Sequence, residues 1–301
     1  IYQAYISVAA CLYMLLMIED TLDKNSSPVQ IVLFGLRALA VVAVTVGACV
    51  LSEFVTEKLL RRSVTVGDLS ACVTGLILAF NLPANVPLWQ AALGGVFAIV
   101  MVKQLFGGLG HNFANPAITA RIMLLISFSS SMAAAASPVL ADAVTGATPL
   151  AVMAGSEGVM PSTWQLLLGL HGGALGETCS LTLLLGGAYL LLRRDISWHT
   201  PAAFIGTAFV LSWLLGRNPV QEVLTGGLLL GAFFMATDYV TTPATGAGRL
   251  IFGFGCGLIT ILIRAWGTYP EGVSFSILLM NILTPYIEKW TRRKVIGGAK
   301  A

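Results

Sequence analysis

In 301 residues the chain carries 56% hydrophobic residues and only 10% charged ones, against about 25% charged in a soluble domain. With a mean hydropathy of +0.85, that balance excludes a soluble globular protein and predicts an all-α integral membrane protein. The net charge of +3 is small and the basic residues sit in short loops, which points to membrane topology in a lipid bilayer and not to nucleic-acid binding.

Apolar runs approaching the ~20 residues of a bilayer span fall at residues 2–18, 29–51, 69–82, 89–105, 117–137, 180–192, 202–215, 220–236, 250–266 and 273–287. They predict about ten transmembrane helices in a single polytopic domain, residues 1–301. Some of the runs are short and interrupted by Gly or Pro, the pattern of broken helices that line a site, and breaks are expected at residues 111–116 and 237–248. The chain opens at Ile1, without Met and inside an apolar run, so the true N-terminus is expected upstream.

Lys and Arg in short loops set the orientation. Lys58, Arg61 and Arg62 follow the second run, Lys103 ends the fourth, Arg193 and Arg194 follow the sixth, and Lys289, Arg292, Arg293 and Lys294 follow the tenth. All mark even-numbered ends, which places both termini in the cytoplasm; Lys24 and Arg217 are the dissenting loop charges. Glu19, Asp20, Asp23 and the loop 138–173, which has no Lys or Arg, then lie outside the cytoplasm.

At residues 107–121 three glycines, Asn112, Asn115 and Arg121 stand at a helix entrance. Amides and backbone donors there can hold a flavin ring or a phosphate; Asn115 before Pro116 also reads as a simple helix cap. The extracytoplasmic loop carries Asp142, two residues, then Thr145-Gly146-Ala147-Thr148, followed by Pro149 and Leu150. That pattern resembles the acceptor sequence for covalent flavinylation, in which FMN is joined through its phosphate to the last threonine. The acceptor has to be a hydroxyl, which Thr148 supplies. Gly146 and Ala147 leave room at the backbone, and Pro149 fixes the chain just beyond. Residues 164–170 read as an interfacial or re-entrant segment.

Farther on, Asp238 in Ala236-Thr237-Asp238-Tyr239 stands near a membrane boundary, where an acid marks an ion path, a pair with Arg249 or a helix cap. Glu177 carries a similar ambiguity, and Pro270-Glu271-Gly272 reads as a turn. Val73-Thr74-Gly75 answers Leu224-Thr225-Gly226, each followed by a polar break, which suggests two similar five-helix halves, one inverted. Cys11, Cys49, Cys72, Cys179 and Cys256 are scattered singly, so no metal or iron–sulfur site is expected from this chain alone. No GxGxxG follows a strand, and no GxSxG or HExxH appears.

The Asp142–Leu150 motif together with residues 107–121, 172–178, 236–243 and 264–281 resembles the D-subunit family of Rnf complexes (RnfD), which is similar to the B subunit of the sodium-translocating NADH:quinone reductases. The resemblance implies a ten-helix subunit of the bacterial cytoplasmic (inner) membrane with covalent FMN on Thr148. It would relay electrons inside a ferredoxin:NAD oxidoreductase that moves Na⁺ or H⁺. Such a subunit is not an autonomous enzyme: it works beside a second covalent-FMN subunit and iron–sulfur subunits. Some relatives hold a noncovalent riboflavin, mapped here to Asn112 and Asn115. The competing readings are a component of the quinone-reductase type and a channel or secondary transporter without redox role.

Overall fold

The computed structural model describes residues 28–133, 148–169, 171–267 and 271–292. The first expected span, residues 2–18, lies outside them. Among the described residues every regular element is helical and none is a strand. In chain order these are α1 (Pro28–Leu59), α2 (Ser70–Phe80), α3 (Leu88–Phe97) running into a wide π turn at Ala98–Gln104, α4 (Pro116–Ser127), α5 (Ser129–Ala133), α6 (Pro149–Met153), α7 (Thr163–Leu168), α8 (Ser180–Leu192) and α9 (His199–Leu214). Then follow α10 (Pro219–Leu224), α11 (Leu228–Leu230) running into a second π turn at Gly231–Met235, α12 (Gly246–Trp266) and α13 (Val273–Thr291). Two stretches, Gly35–Leu59 and Gly246–Trp266, are long and apolar enough to cross a membrane, and Ser70–Phe80, Leu88–Gln104, Pro116–Ser127 and Ser180–Leu192 are shorter apolar helices.

Local sequence explains where the short helices start. Asn115 caps α4, its Oδ1 accepting from the amides of Ala117 (3.0 Å) and Ile118 (3.4 Å). Asn218 caps α10 in the same way, accepting from Val220 (3.1 Å) and Gln221 (3.3 Å). Thr148 caps α6 through the Ala151 amide at 3.1 Å. In all three a proline follows at the first helical position, where its missing N–H is no loss. The expected breaks at 111–116 and 237–248 are found as the non-helical stretches before α4 and α12.

Residues 220–236, read from sequence as one span, form α10 and α11 with a break at Thr225-Gly226-Gly227. Gly226 and Gly227 both take left-handed dihedrals, φ +64° and +67°, which glycine adopts without steric penalty. Neither has room for a side chain. A Cβ on Gly226 would lie 2.6 Å from Leu150 Cδ2 and 2.8 Å from Arg264 Nη2; one on Gly227 would lie 2.7 Å from Glu177 Oε1. The segment around Trp164 is the short helix α7, with Leu166 buried and Trp164 exposed.

The side chains are distributed inside out for a water-soluble protein. Glu53, Lys103, Arg121, Glu177, Glu222 and Arg264 are buried, whereas Leu192 on α8 and Trp213 and Leu214 on α9 are exposed. Charges that face the bundle interior beneath an apolar exterior are what a bilayer imposes. The apolar core, with Leu78, Ile118, Leu124, Phe204, Met235, Phe252 and Ile261 buried in it, runs as one cluster from α1 to α13.

The helices α9 and α12 pack through glycine. A Cβ on Gly257 would stand 2.7 Å from both Phe204 O and Thr207 Cβ, while Gly206 on α9 has nothing within 4 Å. Gly257→Ala is therefore expected to destabilise the protein by about 1–3 kcal/mol through overpacking. Gly206→Ala is expected to be neutral or to stabilise by about 0.5–1 kcal/mol, as alanine for glycine does inside a helix. Thermal unfolding of the two variants in detergent checks the contrast.

Candidate functional site

Thr148 stands at the edge of a cavity of about 210 Å³ whose wall includes Asn81, Arg121, His171, Glu177 and Glu271. Thr148 itself is half-buried, and Pro149 and Leu150 behind it are buried. Leu150 fills the space over Gly226, so the break in the α10–α11 segment and the start of α6 fit against one another. Asp142, Thr145, Gly146 and Ala147, the rest of the expected acceptor sequence, lie outside the described residues.

The floor of this cavity is ionic. Arg121 Nη1 donates to Asn81 Oδ1 at 2.6 Å, and its Nη2 donates to Glu177 Oε1 at 2.8 Å and to Glu271 Oε2 at 2.6 Å. Next to it, Arg264 Nη1 donates to Glu222 Oε2 at 2.8 Å and to Glu222 O at 2.6 Å, and its Nη2 reaches Thr225 O at 2.9 Å and Gly226 O at 3.2 Å. Arg217 completes the group, with Nε 2.7 Å from Glu222 Oε1 and Nη1 donating to Arg264 O at 2.9 Å. The three arginines and three glutamates sum to no net charge. At the break the carbonyls of Thr225 and Gly226 receive guanidinium donors and that of Leu224 the Ser180 hydroxyl at 2.9 Å, partners of the kind a buried backbone break requires.

Two neighbours in loops titrate away from their ordinary range. Burial pushes the Glu271 carboxyl up to about 7 from 4.5, against the pull of Arg121 and with Glu177 adding to the push. Burial lowers the His171 imidazole, whose Nδ1 lies 3.1 Å from Gly172 O.

A second cavity, about 350 Å³, is lined by Ser70, Lys103, Asn112, Asn115 and Asp238 among others. Asn112 Nδ2 donates to Ala114 O at 3.0 Å. Asn115 Nδ2 reaches Met235 O at 3.5 Å, and its backbone amide donates to Asn281 Oδ1 at 3.1 Å. Lys103, on the first π turn, is buried against Glu53 and Ser70. Asp238 accepts from Thr241 Oγ1 at 3.0 Å and from the Val240 amide at 3.5 Å, so it closes a turn. Arg249 donates instead to Pro243 O at 3.0 Å; the pairing of Asp238 with Arg249 considered from sequence is not formed. Burial raises the Asp238 carboxyl above its usual range.

The structure thus divides the expected site residues between two places. Arg121 joins Thr148, Pro149 and Leu150 at the first cavity, while Asn112, Asn115 and Asp238 share the second. Glu177, ambiguous in sequence, and Glu271, read there only as part of a turn, prove to be the partners of Arg121. Glu53, Asn81 and Glu222 escaped the sequence reading. The signal was present for two of them: Glu53 and Glu222 lie in or beside apolar runs, where an acid marks a functional or structural polar centre by default.

The profile of the NQR2, RnfD, RnfE family matches residues 26–297. The chain is 51% identical over 270 residues to the D subunit of the Na(+)-translocating ferredoxin:NAD(+) oxidoreductase complex of Acetobacterium woodii, covering 89% of this chain and 85% of that one. It is 41% identical over 286 residues to the D subunit of the proton-translocating ferredoxin:NAD(+) oxidoreductase complex of Clostridium ljungdahlii, covering 88% and 85%. It is 35% identical over 317 residues to the D subunit of the ion-translocating oxidoreductase complex of Escherichia coli, covering 90% of each.

Glu222 is fully buried between Arg264 and Arg217. Glu222→Ala is expected to lower stability by about 3–5 kcal/mol, because two guanidinium groups lose their compensating charge inside the bundle. Unfolding of the detergent-solubilised variant measures this, and a loss below ~1 kcal/mol would show that water compensates the arginines as at a surface pair.

Proposed function

The chain belongs to the NQR2, RnfD, RnfE family, and on that premise we propose that it is the D subunit of an ion-translocating ferredoxin:NAD oxidoreductase complex, with FMN joined through its phosphate to Thr148. The observation that carries this reading is the position of Thr148, half-buried at the edge of the cavity floored by Arg121, Glu177 and Glu271. The residues fit the group. The Thr148 hydroxyl is held by the Ala151 amide and Pro149 fixes the chain behind it. The neighbouring wall offers donors and acceptors of both charges for a flavin's polar edge, and the apolar Leu125, Met132 and Leu150 lie alongside. When bound, FMN supplies one- and two-electron transfer. The protein holds the attachment point still, presents an ionic floor of one guanidinium and two carboxylates and keeps the cavity walled by helices.

Around that site the sequence supports about ten membrane helices in two inverted halves, with both termini in the cytoplasm and the Thr148 loop outside it. The protein works beside iron–sulfur subunits and a second covalent-FMN subunit, since the chain has neither cluster-ligand spacing nor a nicotinamide fingerprint of its own. The cavity at Asn112, Asn115 and Asp238 is the route by which an ion enters the bundle. A carboxylate at a broken helix offers a cation contact, and no guanidinium or ammonium group is paired with Asp238 among the described residues. The first two relatives named above differ in their ion, Na⁺ in one and H⁺ in the other. A noncovalent riboflavin at Asn112 and Asn115 is a further element of the proposal.

Two variants test this. Thr148→Ala in the assembled complex is expected to abolish the flavin fluorescence that survives denaturation on this polypeptide, and Thr148→Ser to retain part of it, because the hydroxyl is what reacts. Persistent covalent flavin in Thr148→Ala would refute the attachment. Asp238→Asn keeps the turn-closing hydrogen bonds but removes the charge, so vesicles carrying that complex are expected to transfer electrons while losing ion uptake per electron. Normal uptake would remove Asp238 from the path.

A further inference from the structure

The stoichiometry under Thr148 leaves one charge unmatched locally. A single guanidinium, Arg121, faces two carboxylates, Glu177 and Glu271, through one nitrogen, while Arg264 is committed to Glu222 and to the carbonyls of the helix break. Only a backbone carbonyl of Glu271 turns toward Arg264, at 3.4 Å from Nε. Of the two carboxylates, Glu271 is the more open, its side chain 18% exposed against 9% for Glu177, and both line the cavity. Its other oxygen accepts from Ser274 Oγ at 3.2 Å at the start of α13.

We propose that Glu271 is the proton-binding group of the Thr148 cavity, taking up one proton from solution when negative charge enters the cavity and releasing it when that charge leaves. The second half of this statement rests on the flavin reading above, since reduction of a group on Thr148 is what brings charge in. The step balances simply: a carboxylate and a proton give a carboxylic acid, and the electrons come from a reduced carrier of the complex. The charged or titratable groups that face Glu271 are Arg121 from α4, Glu177 from the loop before α8, Arg264 from α12 and His171 across the cavity. Arg121 favours the carboxylate. Glu177 and burial favour the acid, and their balance holds the group near 7, where a modest change in local charge shifts its protonation.

The linkage has a definite sign. A carboxyl raised in the folded state contributes stability that is full below its ordinary 4.5 and is lost as pH rises through about 7. Glu271→Gln is thus expected to flatten the fall in thermal stability of the complex across that interval.

The direct test is infrared difference spectroscopy of the purified complex, following the protonated-carboxyl stretch through neutral pH with and without dithionite. The wild type is expected to lose one such band as pH rises, with the midpoint moving alkaline by on the order of one pH unit on reduction. Glu271→Gln is expected to lack the band. Glu177→Gln is expected to keep it with an acid-shifted midpoint, because the like charge is gone. Thr148→Ala is expected to keep the band and lose its response to dithionite. A band that persists in Glu271→Gln, or the absence of any band titrating near neutrality in the wild type, would overturn the proposal. Should Thr148→Ala retain both covalent flavin and the dithionite response, the flavin attachment fails while the proton site stands.

Discussion

Everything near Thr148 depends on burying arginine where water is scarce. Arg121 draws together the end of α2 through Asn81, the loop before α8 through Glu177 and the loop before α13 through Glu271, residues separated from it by 40, 56 and 150 positions. A guanidinium in such a place is tolerable only when its donors and its charge are both satisfied, so these segments can reach their places only together. The same condition is met at Arg264, with the backbone as the main acceptor. The break at Thr225-Gly226-Gly227 releases carbonyls that an unbroken helix would have used. Arg264 satisfies those of Thr225 and Gly226 and Ser180 that of Leu224, Glu222 balances Arg264, and the left-handed glycines let the groups approach without a Cβ in the way. Break and charge are each other's precondition.

That arrangement yields an ionic floor inside an apolar bundle, one guanidinium against two carboxylates. The two cavities also meet at a shared residue. Asn81, from the Thr148 cavity, donates to Met235 Sδ at 3.4 Å, and Asn115, from the Asp238 cavity, approaches Met235 O at 3.5 Å. Met235 ends the second π turn, and such turns mark places where a helix departs from its regular ladder and are frequent at functional sites. The two cavities therefore have a short physical connection through a single irregular segment.

Much of this was legible in the residues. Composition pointed to the membrane class, because 10% charged residues is far below the ~25% of a soluble domain. The Asn115-Pro116 pair announced the start of α4, since the cap and the missing N–H are local properties; Thr148-Pro149 and Asn218-Pro219 carried the same signal for α6 and α10 without being read as caps. The family resemblance, carried by the Asp142–Leu150 motif together with residues 107–121, 172–178, 236–243 and 264–281, agrees with the family profile and the relatives found. What escaped was non-local. Nothing in the spacing of Asn81, Glu177 and Glu271 says that they converge on Arg121. The break within residues 220–236 was hidden because Thr-Gly-Gly inside an apolar run also reads as ordinary membrane-helix packing. Asn112 and Asn115 were grouped with Arg121 because they are close in sequence. The six residues from Asn115 to Arg121, about 1.7 turns of helix, carry Arg121 into the other cavity.

The central claim is that Thr148 carries FMN over the Arg121 floor. The most direct measurement is the mass of the proteolytic fragment containing residues 142–150, taken from the complex isolated out of its native membrane. The account predicts a fragment heavier than its sequence by one FMN less one water, with fragmentation assigning the added mass to Thr148. An unmodified fragment from an active complex, or the added mass on Thr145 instead, would contradict it.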